Sequence, residues 1–135
     1  MSERKDKAVA AVKGLLSGGP DRALLADNFS MWAIGGRGKY DAETLIKLTA
    51  ALRQLFKEVL YVEILFAIEE GEWVALRVHA EAIFNEGGTY ENDYLYAVRF
   101  SNNLICEMQE FMNNSLVDSE IRPRLQKLMA QQNQA

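Results

Sequence analysis

WVALRVHAEAIFNEGGTYENDYLYAVRFSNNLICEMQEFM, residues 73–112, alternates apolar and polar side chains and is broken twice by short polar segments. A period of two marks β-strands, and breaks this short reverse the chain. With the similar run just upstream, the stretch predicts strands over 59–69, 73–84, 89–100 and 104–112. Glu70-Gly71, Glu86-Gly87 and Ser101-Asn102-Asn103 separate them. Such connections make hairpins, and successive hairpins make an antiparallel meander.

Upstream the period changes to that of helices. Residues 3–17 place Val9, Val12 and Leu16 on one stripe and end at Ser17-Gly18-Gly19-Pro20. A short helix is expected over 21–27, then a short strand over 29–32 leading into Gly35-Gly36-Arg37-Gly38. That loop lacks the lysine and the strand–loop–helix setting of a phosphate cradle, so it reads as the mouth of a pocket. Asp41 is placed to cap a helix over 42–57, whose buried stripe is Leu45, Leu48, Thr49, Leu52, Leu55 and Phe56. A last short helix is expected from Pro123 through Met129, then a polar, frayed tail.

The expected fold class is therefore α+β. A curved antiparallel meander of four to six strands carries three N-terminal helices on its concave face, giving a cone, with a short C-terminal helix. Residues 1–115 form the cone domain, and 116–135 are the C-terminal helix and polar tail of the same domain.

Composition narrows the function classes. A net charge of −4 argues against a phosphate-backbone partner, so no nucleic acid is expected. The lone Cys106 rules out an internal disulfide framework and fits a reducing compartment, and one Cys with one His is too few for a structural zinc site. The charged N-terminus has no apolar core of a signal peptide, and no apolar run is long enough to span a membrane. A cytoplasmic protein with no metal and no cofactor is the expectation.

Register then assigns faces. Two-residue turns at Glu70-Gly71 and Glu86-Gly87 would set Ile64 against Arg77, Val62 against His79, His79 against Tyr94 and Arg77 against Tyr96. A three-residue third turn, with Asn103 left-handed, would set Tyr94 against Glu110 and Tyr96 against Met108. A two-residue third turn would flip every side chain of the last strand. The chosen register gathers Val62, Ile64, Phe66, Arg77, His79, Glu81, Asn92, Tyr94, Tyr96, Met108, Glu110 and Met112 on one face. Apolar bulk with converging polar tips suits a small-molecule cavity. The opposite face, with Val74, Leu76, Val78, Ala80 and Leu95, is expected to cover a second copy of the chain.

The segments at 73–81 (WVALRVHAE) and 88–94 (GTYENDY), then Arg99-Phe100, Leu104-Ile105 and 110–113 (EFMN), resemble the SnoaL-like branch of the nuclear transport factor 2-like superfamily, which includes the ketosteroid isomerases. With the upstream helices the resemblance covers roughly residues 5–115. It implies a fold that hosts isomerases, dehydratases, cyclases, epoxide hydrolases and non-catalytic modules. The general-base carboxylate of the ketosteroid isomerases would fall in Trp32-Ala33-Ile34, which holds no acid, and their oxyanion-hole aspartate falls at Tyr96. The steroid isomerase mechanism is therefore not supported. The Arg-x-Asp pair and last-strand Asp of limonene epoxide hydrolase-like members correspond to Arg77, His79 and Glu110. The His-and-carboxylate sites of SnoaL-like cyclases and dehydratases fit His79 and Glu110 better. The usual Asp after the last strand's aromatic motif is Asn113.

His79, Glu110, Tyr94 and Tyr96 are the expected catalytic residues: His79 moves the proton, Glu110 tunes or replaces it, and the tyrosines hold the substrate oxygen. Each has a structural alternative, namely a satisfied core histidine, an ion pair of Glu110 with Arg77, and plain core aromatics. Arg77, Glu81, Asn92, Trp32, Phe66, Met108 and Met112 are expected to bind substrate, and Cys106 points away from the pocket. The function expected is a cofactor-free acid/base enzyme of isomerase, dehydratase or cyclase type, acting on a small apolar carbonyl- or hydroxyl-bearing molecule. The alternative is a non-catalytic small-ligand-binding or dimerisation module.

Overall fold

Ser2 accepts the Lys5 amide at 3.1 Å and so caps α1, Glu3–Leu16, satisfying one of the donors a helix start leaves free. The structure, a computed structural model, describes residues 2–36 and 38–133. Arg37 of the expected mouth loop, and Gln134 and Ala135 of the tail, lie outside the described residues. α1 buries Ala8, Ala11, Val12 and Leu15, with Val9 and Leu16 packed at the edge of the same core. At Gly14 the returning chain passes so close that an added Cβ would lie 2.7 Å from the Pro20 Cα.

The helix expected over 21–27 is only a single 3-10 turn, Arg22–Leu24, after which β1 runs Leu25–Ala33. Alternate burial of Phe29, Met31 and Ala33 is the reason: a strand puts all three into the core, and a helix would scatter them. Two α-helices and this turn thus replace the three N-terminal helices expected. Asp41 accepts the Thr44 amide at 2.8 Å and caps α2, Ala42–Arg53. α2 stops four residues early, because Leu55 and Phe56 leave the helical stripe for a second cluster. There the Phe56 and Phe84 rings stack at 5.0 Å, and Tyr90 and Ile121 join them.

Four further strands follow: β2 Phe56–Glu70, β3 Trp73–Phe84, β4 Thr89–Ser101 and β5 Leu104–Met112. The sheet order is β1-β5-β4-β3-β2, an antiparallel meander whose last strand also takes β1 alongside it in parallel. The sheet is therefore mixed and open rather than purely antiparallel.

Register departs from expectation in all three hairpins. The first turn is Gly71-Glu72, with Glu70 opposite Trp73 and Phe66 opposite Arg77, and an irregularity at Leu65 then brings Ile64 against Val78 and Glu63 against His79. The second connection is the four-residue segment 85–88, with Gly87 and Gly88 both at positive φ, and it sets His79 against Asp93 instead of Tyr94. This one-residue slip turns the β3 faces over. Val74, Leu76, Val78, Ala80, Ala82 and Phe84 point into the core with the β4 aromatics, and Arg77, His79 and Glu81 point out. Apolar sorting decides it. Each large side chain buried there is worth roughly 1.5–3 kcal/mol, whereas the other register would bury three ionisable groups.

The third turn has two residues, Asn102-Asn103, both left-handed, and a bulge at Cys106 then adds one residue to β5. The turn is shorter than expected, but the bulge restores the parity. Tyr96 faces Glu110, Tyr94 faces Met112, and Val98 faces Met108, all on the inner face.

The C-terminal helical segment begins at Asn113, which caps α3, Asn114–Leu116, and not at Pro123. A π-helical turn, Val117–Ile121, leads into α4, Arg122–Asn133. Pro123, with no amide to donate, sits just after the change in bonding register. No described helix is long and apolar enough to cross a membrane.

Candidate functional site

Between the inner sheet face and the helices lies a cavity of about 200 Å³. β1 and its following loop supply Met31, Ala33, Ile34, Gly36 and Tyr40; α1 supplies Leu15 and Leu16; α2 supplies Leu45, Leu48, Thr49 and Leu52. Tyr90, Tyr94, Tyr96, Glu110 and Met112 form the sheet wall, and Asn114, Val117, Ile121, Arg122 and Leu125 close the other side. Met31 and Tyr40 exchange two backbone hydrogen bonds, at 2.9 and 2.8 Å, which fold the loop back over β1.

The polar groups concentrate on the sheet wall. Tyr96 donates its hydroxyl to Glu110 Oε2 at 2.5 Å. Glu110 Oε1 makes no hydrogen bond among the described residues, and the side chain is half-buried with its open side on the cavity. Burial raises the Glu110 pKa above its ordinary value, partly opposed by the Tyr96 hydrogen bond. The Tyr94 and Tyr96 rings stack at 5.7 Å, and burial pushes both phenols well above the usual range, so both remain protonated donors. Tyr90 shares a 3.1 Å hydroxyl contact with Tyr94, and its own pKa is raised, again by burial first. Arg122 is the cation on the wall among the described residues, and Asp118 already binds its Nε at 3.0 Å. The arrangement offers a carboxyl that can exchange a proton, hydroxyl donors beside it, and apolar walls.

No family model matches the sequence, and no curated protein matches it. Solved structures do match. IdmH, a proposed polyketide cyclase from Streptomyces antibioticus, aligns with a TM-score of 0.70 at 18% identity, covering 85% of this chain and 95% of its own. AclR, a proposed hydroxylase from Streptomyces galilaeus, aligns at 0.71 and 17%, covering 95% and 85%. A proposed SnoaL-like polyketide cyclase from Jannaschia sp. CCS1 aligns at 0.70 and 16%, covering 90% and 95%. The chain has the SnoaL-like, nuclear transport factor 2-like fold. Other matches are described as ketosteroid isomerase-like or NTF2-like. A de novo designed protein with a curved β-sheet aligns too, so the likeness carries shape and not chemistry.

Within this SnoaL-like fold the expected site divides in two. Glu110, Tyr94, Tyr96 and Met112 line the cavity, and Asn92 lies buried behind them. Met108 is on the same face but wholly inside the core. His79, Arg77, Glu81, Phe66 and Trp32 are not in the cavity. The slipped second hairpin puts His79, Arg77 and Glu81 outside, and Phe66, paired directly with Arg77, lies on the same outer face. Trp32 packs edge-on against Phe111, while its neighbours Met31 and Ala33 face in.

His79 is held between two carboxylates on that outer face, with Asp93 2.8 Å from Nδ1 and Glu91 3.0 Å from Nε2. Arg77 reaches the same Asp93 oxygen at 3.1 Å. The Asp93 hydrogen bond raises the His79 pKa, and His79, then Arg77, lower that of Asp93. Cys106 is buried at the bulge, off the cavity. Among the described residues no group of three His, Cys, Asp or Glu is placed to hold a metal ion.

Sequence reasoning missed Tyr90 and the whole C-terminal wall. Tyr90 shares the parity of Tyr94 and Tyr96 and was open to detection on that ground. Val117, Ile121 and Leu125 are spaced one helical turn apart, a stripe visible once the helix is started at Asn113.

Proposed function

We propose that the protein is a cofactor-free acid/base enzyme of isomerase, dehydratase or cyclase type, acting in this cavity on a small apolar molecule that bears a carbonyl or hydroxyl. One observation carries the reading: Glu110 lies in an apolar cavity with one oxygen held by Tyr96 and the other open. A carboxyl whose pKa is raised by burial is suited to take and return a proton, and Tyr94, whose hydroxyl is not bound to Glu110, is suited to hold the oxygen on which charge develops. Glu110 thus takes the role expected of His79. The cavity is small beside the ~300–1,000 Å³ of drug-sized ligand sites, so the substrate is about one or two rings in size. The C-terminal segment belongs to the same unit, since it supplies one wall.

The test is deuterium exchange into the α-methyl group of acetophenone in D2O, followed by proton NMR. Wild type is expected to accelerate exchange, and Glu110→Gln to lose at least a hundredfold of the acceleration. Equal rates for the two proteins would overturn the reading.

A second reading is a non-catalytic ligand-binding or dimerisation module in the cytoplasm. It is favoured by the outer sheet face, where Phe66, Ile68, Trp73 and Leu95 are all exposed. Homodimerisation through that face is compatible with either reading.

A further inference from the structure

Asn92 is one of two buried polar side chains among the described residues, and all four of its hydrogen-bonding positions are used. Oδ1 accepts the backbone amides of Asp93 at 2.9 Å and Asn113 at 3.1 Å. Nδ2 donates to the Asn113 carbonyl at 3.3 Å and to the Tyr90 hydroxyl oxygen at 2.8 Å. A flipped amide would set its NH2 against two backbone N–H groups, so the orientation is fixed by its partners.

That fixed donor has a consequence for the cavity. The Tyr90–Tyr94 pair has two hydroxyl protons, and their mutual contact uses one. A hydroxyl that accepts a hydrogen bond is polarised into a better donor. Either hydroxyl can be the donor in that contact; acceptance from Asn92 favours Tyr90 as the donor, the sense in which the Tyr94 proton is left with no acceptor among the described residues. Tyr94 lines the cavity.

We propose that Asn92 is a positioning residue that sets the sense of a chain from Asn92 through Tyr90 to Tyr94, aiming the Tyr94 proton at the ligand and making the site select an uncharged oxygen acceptor over an anion or ammonium of the same shape. The proposal rests on the reading of the cavity as the ligand site. An anion would be stripped of water among apolar walls whose one cation among the described residues is already paired with Asp118. An ammonium has no lone pair for the Tyr94 proton and would find a single open carboxyl oxygen. A ketone accepts the Tyr94 proton and brings no charge that must be stripped of water.

Acetophenone, benzoate and benzylammonium, which share size and ring, test the selectivity by NMR titration. Acetophenone is expected to bind at least tenfold more tightly than either ion. Equal or tighter binding of an ion, or no binding of the ketone, overturns the proposal. The infrared C=O stretch of bound acetophenone tests the chain, because it reports the hydrogen bond to the ligand and not the fold. A downshift is expected in wild type, none in Tyr94→Phe, and a reduced one in Asn92→Asp, which keeps both acceptor contacts and loses both donors. Tyr90→Phe cuts the chain without touching the Asn113 contacts and is expected to match Asn92→Asp, which keeps the test open if the Asp variant fails to fold. A wild-type downshift in the folded Asn92→Asp or Tyr90→Phe protein overturns the proposal. Glu110→Gln separates this inference from the enzymatic one, since it should keep the downshift while losing exchange. Ketone binding with a downshift and no exchange in wild type would sink the enzyme and leave the Asn92 chain standing.

Discussion

Glu110 sits where burial opposes ionisation and a single hydroxyl favours it, and the balance is on the side of burial. The sign of its effect on stability follows. A carboxyl whose folded pKa is raised binds its proton more tightly when folded, so its favourable contribution is complete below the unfolded value, ~4.3, and is lost as pH rises through the folded value. Glutamine cannot ionise and feels no such loss. Glu110→Gln is therefore expected to match wild type near pH 4 and to become the more stable protein as pH rises toward 8. The gap should grow by up to about 1.4 kcal/mol for each unit by which the pKa is raised. Thermal unfolding across that range checks it, and a gap that does not change with pH would contradict the buried-acid description. Tyr96→Phe removes the one hydrogen bond that favours the ionised form, so it should widen the pH dependence.

At the scale of elements, the turn between β4 and β5 separates two descriptions of the last hairpin. Asn102 has φ 51° and Asn103 φ 65°, a pair of left-handed residues of the kind that matches the twist of a two-residue hairpin. Alanine tolerates that region less well than asparagine, so Asn102→Ala and Asn103→Ala should each lower stability by about 1 kcal/mol, and glycine at either position should not. Urea unfolding reads this directly. A cost at 103 with none at 102 would instead fit the three-residue bulged turn that the sequence suggests. The boundaries of β3 and β5 are legible because breakers flank clean alternation. Register is not, since one residue more or less in a glycine-rich connection leaves the same strands and exchanges their faces. In the second hairpin the slip is odd, so His79 leaves the cavity. In the third the shorter turn and the Cys106 bulge compensate, so Glu110 stays with Tyr96. The apolar row Val74, Leu76, Val78, Ala80 and Phe84 carries the deciding signal in the sequence. Weighed ahead of the polar row, it places that face inside.

On the scale of the whole molecule, the sheet has two faces with different fates. The inner one carries the core and the cavity; the outer one carries Phe66, Ile68, Trp73 and Leu95, each more than a third exposed. Beside them lie Arg77, Asp93, His79 and Glu91, already paired with one another within the subunit. Charges satisfied internally can be covered without being stranded unpaired, which lowers the penalty against burying that part of the face. Two copies related by a twofold axis would lay the same apolar patch on itself, closing it from water. Sedimentation at micromolar concentration is expected to give a dimer, and Phe66→Asp with Leu95→Asp to give a monomer. Because the cavity opens on the other side of the sheet, that monomer should still bind acetophenone with wild-type affinity. A wild-type monomer would remove the dimer, and a monomeric variant that no longer binds ketone would mean the outer face supports the cavity wall and is not merely a docking surface.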